Sequence, residues 1–228
     1  MILAAGRGER MRPLTDHCPK PLLNVNDKPL IVYHIEKLVA GGIVDIVINH
    51  AWLGDKIIQA LGDGSQFGAS IAYSDEQAGA YETAGGIVKA LPMLTRDANG
   101  QLSDEPFLVV NGDIFTDFDF SLLSQVDLNQ QLMAHLVLVD NPAHNPSGDF
   151  AIDQQGKLTA LTTNCFTFSG IGLYHPHGFA QLPSGRAALG PLIRRWIANE
   201  QVSAQHFAGR WTDVGTPERL AQINDEFE

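Results

Sequence analysis

The sequence predicts an α/β fold, a parallel-type sheet wrapped by helices. Three observations predict it. Short apolar runs recur along the chain and alternate with amphipathic helical segments. Gly, Pro and Asp punctuate the joints between them. The first apolar run, Met1–Ala5, breaks directly into Gly6-Arg7-Gly8, followed by Arg10, Arg12 and Pro13. A buried strand that empties into glycines and arginines is how α/β proteins hold phosphates. Glycine lets backbone N–H groups approach the oxygens, and arginine adds fixed charge.

Each element follows from its local pattern. Met1–Ala5 reads as the first strand, and Pro13 argues against a long helix behind it. Pro29–Ala40 has helical spacing, with Pro at its start and Gly41-Gly42 at its end. Ile43–Ile48 is a buried strand, and Gly54–Leu61 is a short helix closed by Gly62-Asp63-Gly64. Ile71–Ser74 is a third strand, and Gly85–Leu94 is a helix that follows a glycine pair. Residues 95–106 are polar and loop-like. Phe107–Val110 is a strand ending at Asn111-Gly112-Asp113, and His135–Val139 is another. From Phe150 to Tyr174 the pattern is β-like in three pieces, AID, KLTAL and FTFSGIGLY. Ala187–Asn199 and Thr216–Phe227 read as helices.

The chain has 228 residues, 44% hydrophobic and 18% charged, which suits a globular enzyme. With no repeat, low-complexity tract or linker, one domain over 1–228 is expected, with a secondary division near residue 140. No apolar run approaches the roughly 20 residues that span a bilayer. Met1–Ala5 is too short for a signal peptide, so a cytoplasmic protein is expected. The net charge of −11 argues against nucleic-acid and anionic-membrane partners. Cys18 and Cys165 lie far apart, without metal-ligand spacing, and read as idle thiols in a reducing compartment. The histidines show no H-E-x-x-H spacing, His175-Pro176-His177 reads as a turn, and there is no G-x-S-x-G elbow.

The glycine-arginine loop admits more than one reading. A dinucleotide site would place a third Gly at position 11, which is Met11, and would open straight into a helix. A nucleoside triphosphate loop would use Arg10 as the charge on the β- and γ-phosphates. A solvated basic loop is the bland alternative. Lys20 stands between Pro19 and Pro21, which fix the backbone and hold its ammonium near the loop. Asp113 ends an apolar strand, at the edge where open α/β sheets bind ligands, and Asp213 lies beside a glycine turn. Either acid alone could be a turn residue or a helix cap. Together, with substrate phosphates, they are the donor set that holds Mg²⁺. In Glu82-Thr83-Ala84-Gly85-Gly86, glycine permits backbone groups to approach a base edge.

LAAGRGERMRPLT (3–15), PKPLL (19–23), ETAGG (82–86), NGD (111–113) and WTDVGT (211–216) occur in the order seen in sugar-1-phosphate nucleotidylyltransferases. The chain resembles that family over nearly its whole length. Within it, INHAWLGDKI (48–57), GDGSQFG (62–68), AHLVLVDNP (134–142) and FTFSGIGLYHP (166–176) resemble most the short bacterial N-acetylmuramate 1-phosphate uridylyltransferases.

The resemblance implies a Rossmann-like fold with a mixed, mostly parallel central sheet flanked by helices. It implies a nucleotide half over about 1–140 and a sugar half over about 141–228. It implies Mg²⁺-dependent uridylyl transfer from UTP to N-acetylmuramate 1-phosphate, releasing pyrophosphate, in peptidoglycan recycling. The alternatives are a mannose-1-phosphate guanylyltransferase, a glucose-1-phosphate uridylyl- or thymidylyltransferase, and a non-catalytic nucleotide-sugar sensor.

Carried over motif by motif, Arg10, Lys20 and Asp113 are the catalytic residues, and Asp113 and Asp213 hold the metal. Leu3, Ala4, Ala5, Gly6, Gly8, Glu76, Glu82, Thr83 and Gly112 join Arg10 and Lys20 around the nucleotide. Asn111, Gly148, Asp149, Ser169 and Gly170 face the sugar. Two departures stand out. Thr162-Thr163-Asn164-Cys165 replaces the Glu-Lys-Pro stretch of many relatives, which weakens glucose or mannose as the acceptor. No β-helix or acyltransferase segment follows Asp213, so a stand-alone transferase is expected.

Overall fold

Strand β1 (Ile2–Leu3) runs into short 3₁₀ turns at Glu9–Met11, Leu14–Asp16 and Lys20–Leu22, the breaks that Pro13, Pro19 and Pro21 impose. β1 is shorter than the apolar run suggests. The Ala4 amide leaves the ladder and donates to Asn49 Oδ1 at 2.8 Å. A small hairpin, β2 (Asn24–Val25) and β3 (Lys28–Pro29), leads into α1 (Leu30–Ala40). Then come β4 (Asp45–His50), α2 (Gly54–Leu61), β5 (Ser70–Asp75) and α3 (Glu82–Leu94). β6 (Phe107–Asn111), β7 (Ile114–Thr116) and β8 (Ala134–Val139) follow. The C-terminal part holds β9 (Phe150–Ile152), β10 (Leu158–Thr159), β11 (Cys165–Tyr174), α4 (Leu189–Ala198), β12 (Val202–Phe207), β13 (Trp211–Asp213) and α5 (Pro217–Asp225). The computed structural model describes residues 1–76, 81–95, 103–128, 131–153, 155–159 and 163–227. Part of the expected loop at 95–106, the end of KLTAL and Thr162 lie outside the described residues.

The main sheet runs β12-β8-β11-β6-β1-β4-β5. β6, β1, β4 and β5 are mutually parallel, and β12 is parallel to β8. β11 is antiparallel to both of its long neighbours, β6 and β8. β9 pairs with the start of β11, and β10 with β9. The expected mixed, mostly parallel sheet is therefore observed.

Alternation along the strands builds a core on each face. Phe107 and Val109 pack with Ala84 and Ile87 of α3 and Leu192 and Trp196 of α4. Leu108 and Val110 pack with Ile31 and Ile35 of α1 and Ile57 of α2. A third cluster joins Met11 of the basic loop to Val214, Leu220 and Ile223 near the C-terminus. Burying Met11 completely pins a loop that has almost no regular structure.

Two features escaped the pattern reading. β12 has a half-polar sequence, VSAQHF, fully buried only at Val202 and Ala204. It is a strand because β8 offers it an edge, not because of its own composition. The β7–β13 ladder pairs Ile114 with Asp213, so NGD and WTDVGT, far apart in sequence, become neighbours. α3 also begins before the expected Gly85. Ala187 accepts from the Gly85 amide at 3.1 Å and donates to the Tyr81 carbonyl at 2.9 Å, so a distant segment secures its first turn.

Candidate active site

The carboxyl ends of β1, β4, β5 and β6 converge on one cavity of about 440 Å³. Leu3, Ala4, Ala5 and Gly6 line it from β1, Glu76 from β5, and Glu82 and Thr83 from the start of α3. Asn111 and Asp113 enter from β6, and Lys20 from its proline-flanked turn. These are ten of the residues named from sequence, brought to one place by the parallel strands.

Lys20 is almost entirely buried, and its Nζ donates to Asp113 Oδ2 at 2.6 Å. The Asp113 side chain stays 41% exposed, so the pair faces the cavity with the carboxylate outward. Asn49 organises the floor. Its Oδ1 accepts from Ala4, and its Nδ2 donates to Glu76 Oε1 at 2.8 Å. Burial raises the Glu76 carboxyl above the ordinary range, against the opposing hydrogen bond from Asn49.

Among the lining residues not named from sequence, Arg7, Trp52 and Arg186 stand out. The Arg7 guanidinium lies 3.4 Å from the centre of the Trp52 ring. Both side chains also donate to the Thr15 carbonyl, Arg7 at 3.2 Å and Trp52 at 3.0 Å. Arg186 reaches across to Glu82 at 2.6 Å. Only Arg7 carried a sequence signal, its place inside the glycine loop. Trp52 and Arg186 meet the cavity through contacts that no local motif encodes.

Several expected contacts are relocated. Arg10 does not line the cavity. Its Nη2 lies 3.1 Å from where a Cβ on Gly215 would sit, beside Asp213. Gly8 and Gly112 serve packing: φ is +70° at Gly8, which sits against Thr15 and Lys20, and the Gly112 amide donates to the Leu3 carbonyl at 2.9 Å. A Cβ on Gly85 would run into the Gly185 carbonyl, and one on Gly86 into Glu76, so this pair allows the protein to pack on itself.

A second cavity, of about 560 Å³, adjoins the first and shares Glu82, Thr83 and Asn111 with it. Asp149 lines it as expected, with Phe150, Phe168 and the first half of α4. The Asp149 carboxylate accepts from the Phe168 amide at 2.9 Å. Ser169, Gly170 and Gly148 do not face this cavity. Ser169 and Gly170 form a bulge in β11. The Ser169 hydroxyl is turned inward onto the Val137 carbonyl at 2.7 Å, and Gly170 lies against Asn111. Gly148 makes a tight turn against Asn141 and Cys165.

Asp213 sits one hydrogen bond from Asp113: Val214 donates to the Asp113 carbonyl at 2.7 Å. Asp213 Oδ1 meets Arg219 and His144 Nε2, the latter at 2.9 Å. Helix α5 is capped by Thr216, so Asp213 is not its cap. Among the described residues, Asp113 Oδ1 and Asp213 Oδ2 accept no hydrogen bond. Asp113 lines the first cavity and Asp213 lines neither, but these two free oxygens, just before β7 and at the end of β13, are the hard donors suited to a magnesium ion whose other ligands are phosphate and water. Among the described residues no group of three or more His, Cys, Asp or Glu forms a complete metal cage.

The family model for nucleotidyl transferases matches residues 1–163. The chain is 51% identical to an N-acetylmuramate alpha-1-phosphate uridylyltransferase from Neisseria meningitidis serogroup B, over 97% of this chain and 95% of that protein. It is 30% identical to a UTP–glucose-1-phosphate uridylyltransferase from Synechocystis, over 82% of this chain and 51% of that protein. A crystal structure of a provisionally assigned glucose-1-phosphate thymidylyltransferase from Bacillus anthracis superposes with a TM-score of 0.82 at 24% identity, covering 99% of this chain and 93% of that one. That likeness establishes the fold.

Proposed function

The chain belongs to the nucleotidyl transferase family, and from that premise we propose that it transfers a uridylyl group from UTP to N-acetylmuramate 1-phosphate. The products are UDP-N-acetylmuramate and pyrophosphate. The near full-length likeness to the meningococcal uridylyltransferase carries the choice of substrates. The Lys20–Asp113 pair at the carboxyl ends of parallel strands supports the class of reaction.

An oxygen of the sugar phosphate attacks the α-phosphorus in line, and pyrophosphate departs. The attacking phosphate is already ionised near neutral pH, so the site needs no general base. What it needs is positioning and charge neutralisation. Leu3 to Gly6 and Thr83 hold the nucleoside, and Lys20 places a nearly buried ammonium where the phosphates meet. Arg7, stiffened by Trp52, faces the same space, a role first assigned to Arg10 alone. Arg10, beside Asp213, then meets the outgoing pyrophosphate from the far side. Magnesium, held by Asp113 and Asp213, would neutralise charge on the phosphates.

We read 1–228 as one nucleotidyltransferase domain, with nucleotide half 1–140 and sugar half 141–228. We read the product as a cell-wall precursor and the reaction as a step of peptidoglycan recycling in the cytoplasm. No described helix is long and apolar enough to cross a membrane.

The test is pyrophosphate release with UTP and N-acetylmuramate 1-phosphate, set against GTP with mannose 1-phosphate and dTTP with glucose 1-phosphate. The first pair should be fastest. Preference for another pair reassigns the substrates. Nucleotide binding without turnover of any pair makes the protein a sensor.

A further inference from the structure

We infer that Arg194 binds the carboxylate of an acidic acceptor sugar and so selects N-acetylmuramate 1-phosphate over the counterpart that lacks this carboxylate. The inference rests on the function proposed above and names the residue that reads the acceptor.

Arg194 is the cation of the second cavity, which lies beside the nucleotide cavity and opens onto it through Glu82, Thr83 and Asn111. The other cations near the reacting phosphates, Arg7, Lys20 and Arg186, line the first cavity only. Arg186 is paired with Glu82, and Lys20 with Asp113. Arg194 has no carboxylate partner among the described residues. Its one recorded contact is with the face of Phe150, whose ring centre lies 5.8 Å away. Asp149, the acid that lines only the second cavity, is occupied by the Phe168 amide and by Asn145. A guanidinium left over in a partly apolar pocket is a site for an anion brought by a ligand.

The acceptor carries two anions, its 1-phosphate and the carboxylate of its lactyl ether. The phosphate must reach the α-phosphorus beside Lys20 and Asp113, in the first cavity. The lactyl end is then left to the second. A lactyl group is a carboxylate on a methyl-bearing carbon. Arg194 suits the carboxylate, and Phe150, Phe168 and Ile193 suit the methyl. N-acetylglucosamine 1-phosphate has the same phosphate and lacks the lactyl group, so it leaves the guanidinium unpaired.

Arg194 is exposed on α4, so Arg194→Gln should fold normally. Calorimetry would measure binding of N-acetylmuramate 1-phosphate and of its lactyl methyl amide to both proteins, alongside turnover with UTP. The native protein should prefer the acid by about 10²-fold, the scale of a hydrogen bond between charged groups. In Arg194→Gln that ratio should fall to near one, and Arg194→Lys should restore part of it. Equal losses for acid and amide would mean that Arg194 holds the 1-phosphate, and an unchanged ratio would mean that it holds neither anion. Each overturns the inference while leaving the uridylyltransferase reading standing. Absence of turnover by the native protein with either sugar would overturn both.

Discussion

The two cavities share Glu82, Thr83 and Asn111, yet they are built from different kinds of structure. The first sits on strand ends. Its backbone is fixed by parallel ladders, by Asn49 bridging Ala4 and Glu76, and by prolines on either side of Lys20. The second is walled by the bulged strand β11, the short strand β9 and helix α4. One is a rigid frame for charge, and the other is a half-apolar hollow with one unpaired cation. On the proposed function, the chemistry common to nucleotidyl transfers falls to the frame and the identity of the acceptor to the hollow.

That division can be broken by mutation. The largest effect should come from Asp113→Ala, which removes a proposed metal carboxylate from an exposed strand end. Turnover should fall by about 10³-fold or more while the circular dichroism spectrum is unchanged. Activity within about tenfold of native would remove Asp113 from the reaction. Lys20→Ala should cost about 10²-fold in kcat, the scale for a positioned electrostatic donor. If KM alone rises, the lysine binds substrate without favouring the transition state. Phe168→Ala should raise the acceptor KM by about tenfold through lost apolar contact and leave the UTP KM alone. A rise in both would show that the cavities do not work separately.

The smallest effect concerns stability. Burial raises the Glu76 carboxyl in the folded protein. Where native and unfolded chains are both protonated, below the unfolded carboxylate pKa, this costs nothing. Between the unfolded pKa and the raised folded one the unfolded chain ionises while the folded one stays protonated, so stability falls across that window and stays lower above it, where the folded state holds a desolvated charge. Glu76→Gln keeps the hydrogen bond from Asn49. It should match the native Tm in acid and exceed it by a few degrees at neutral pH. Identical melting curves at both values would show that the buried carboxylate is not penalised.

The first cavity was legible because its residues come in short runs. Leu3 to Gly6, Lys20, Glu82-Thr83 and Asn111 to Asp113 each carry a local signal, and a parallel sheet must bring strand ends together. Asp113 and Asp213 are brought near each other by the β7–β13 ladder, which nothing in the isolated runs announces. Of the residues that line the second cavity and not the first, only Asp149 was legible. Arg194 lies on an amphipathic helix, where a surface arginine is unremarked until the neighbouring strands are known. The ligand-facing reading of Gly85-Gly86 rests on the close approach that glycine permits, and that of Ser169-Gly170 on the family resemblance. The structure shows that the approaching partners are Gly185, Glu76 and Asn111 of the protein itself. Sequence tells that something comes near a glycine and not what it is. Arg7 and Arg10 stand three positions apart on one loop, and only the tight turn at Glu9–Met11 decides which of them looks inward.

The wall common to both hollows has a practical meaning for inhibitor chemistry. Glu82, Thr83 and Asn111 are a threshold between the cavities, and on the proposed reading the uridine lies on one side and the acidic end of the sugar on the other. A compound that carries a uridine at one end and an acidic sugar at the other could straddle it. Such a compound would exclude both reactants at once, and its tether length would be dictated by the width of those three side chains.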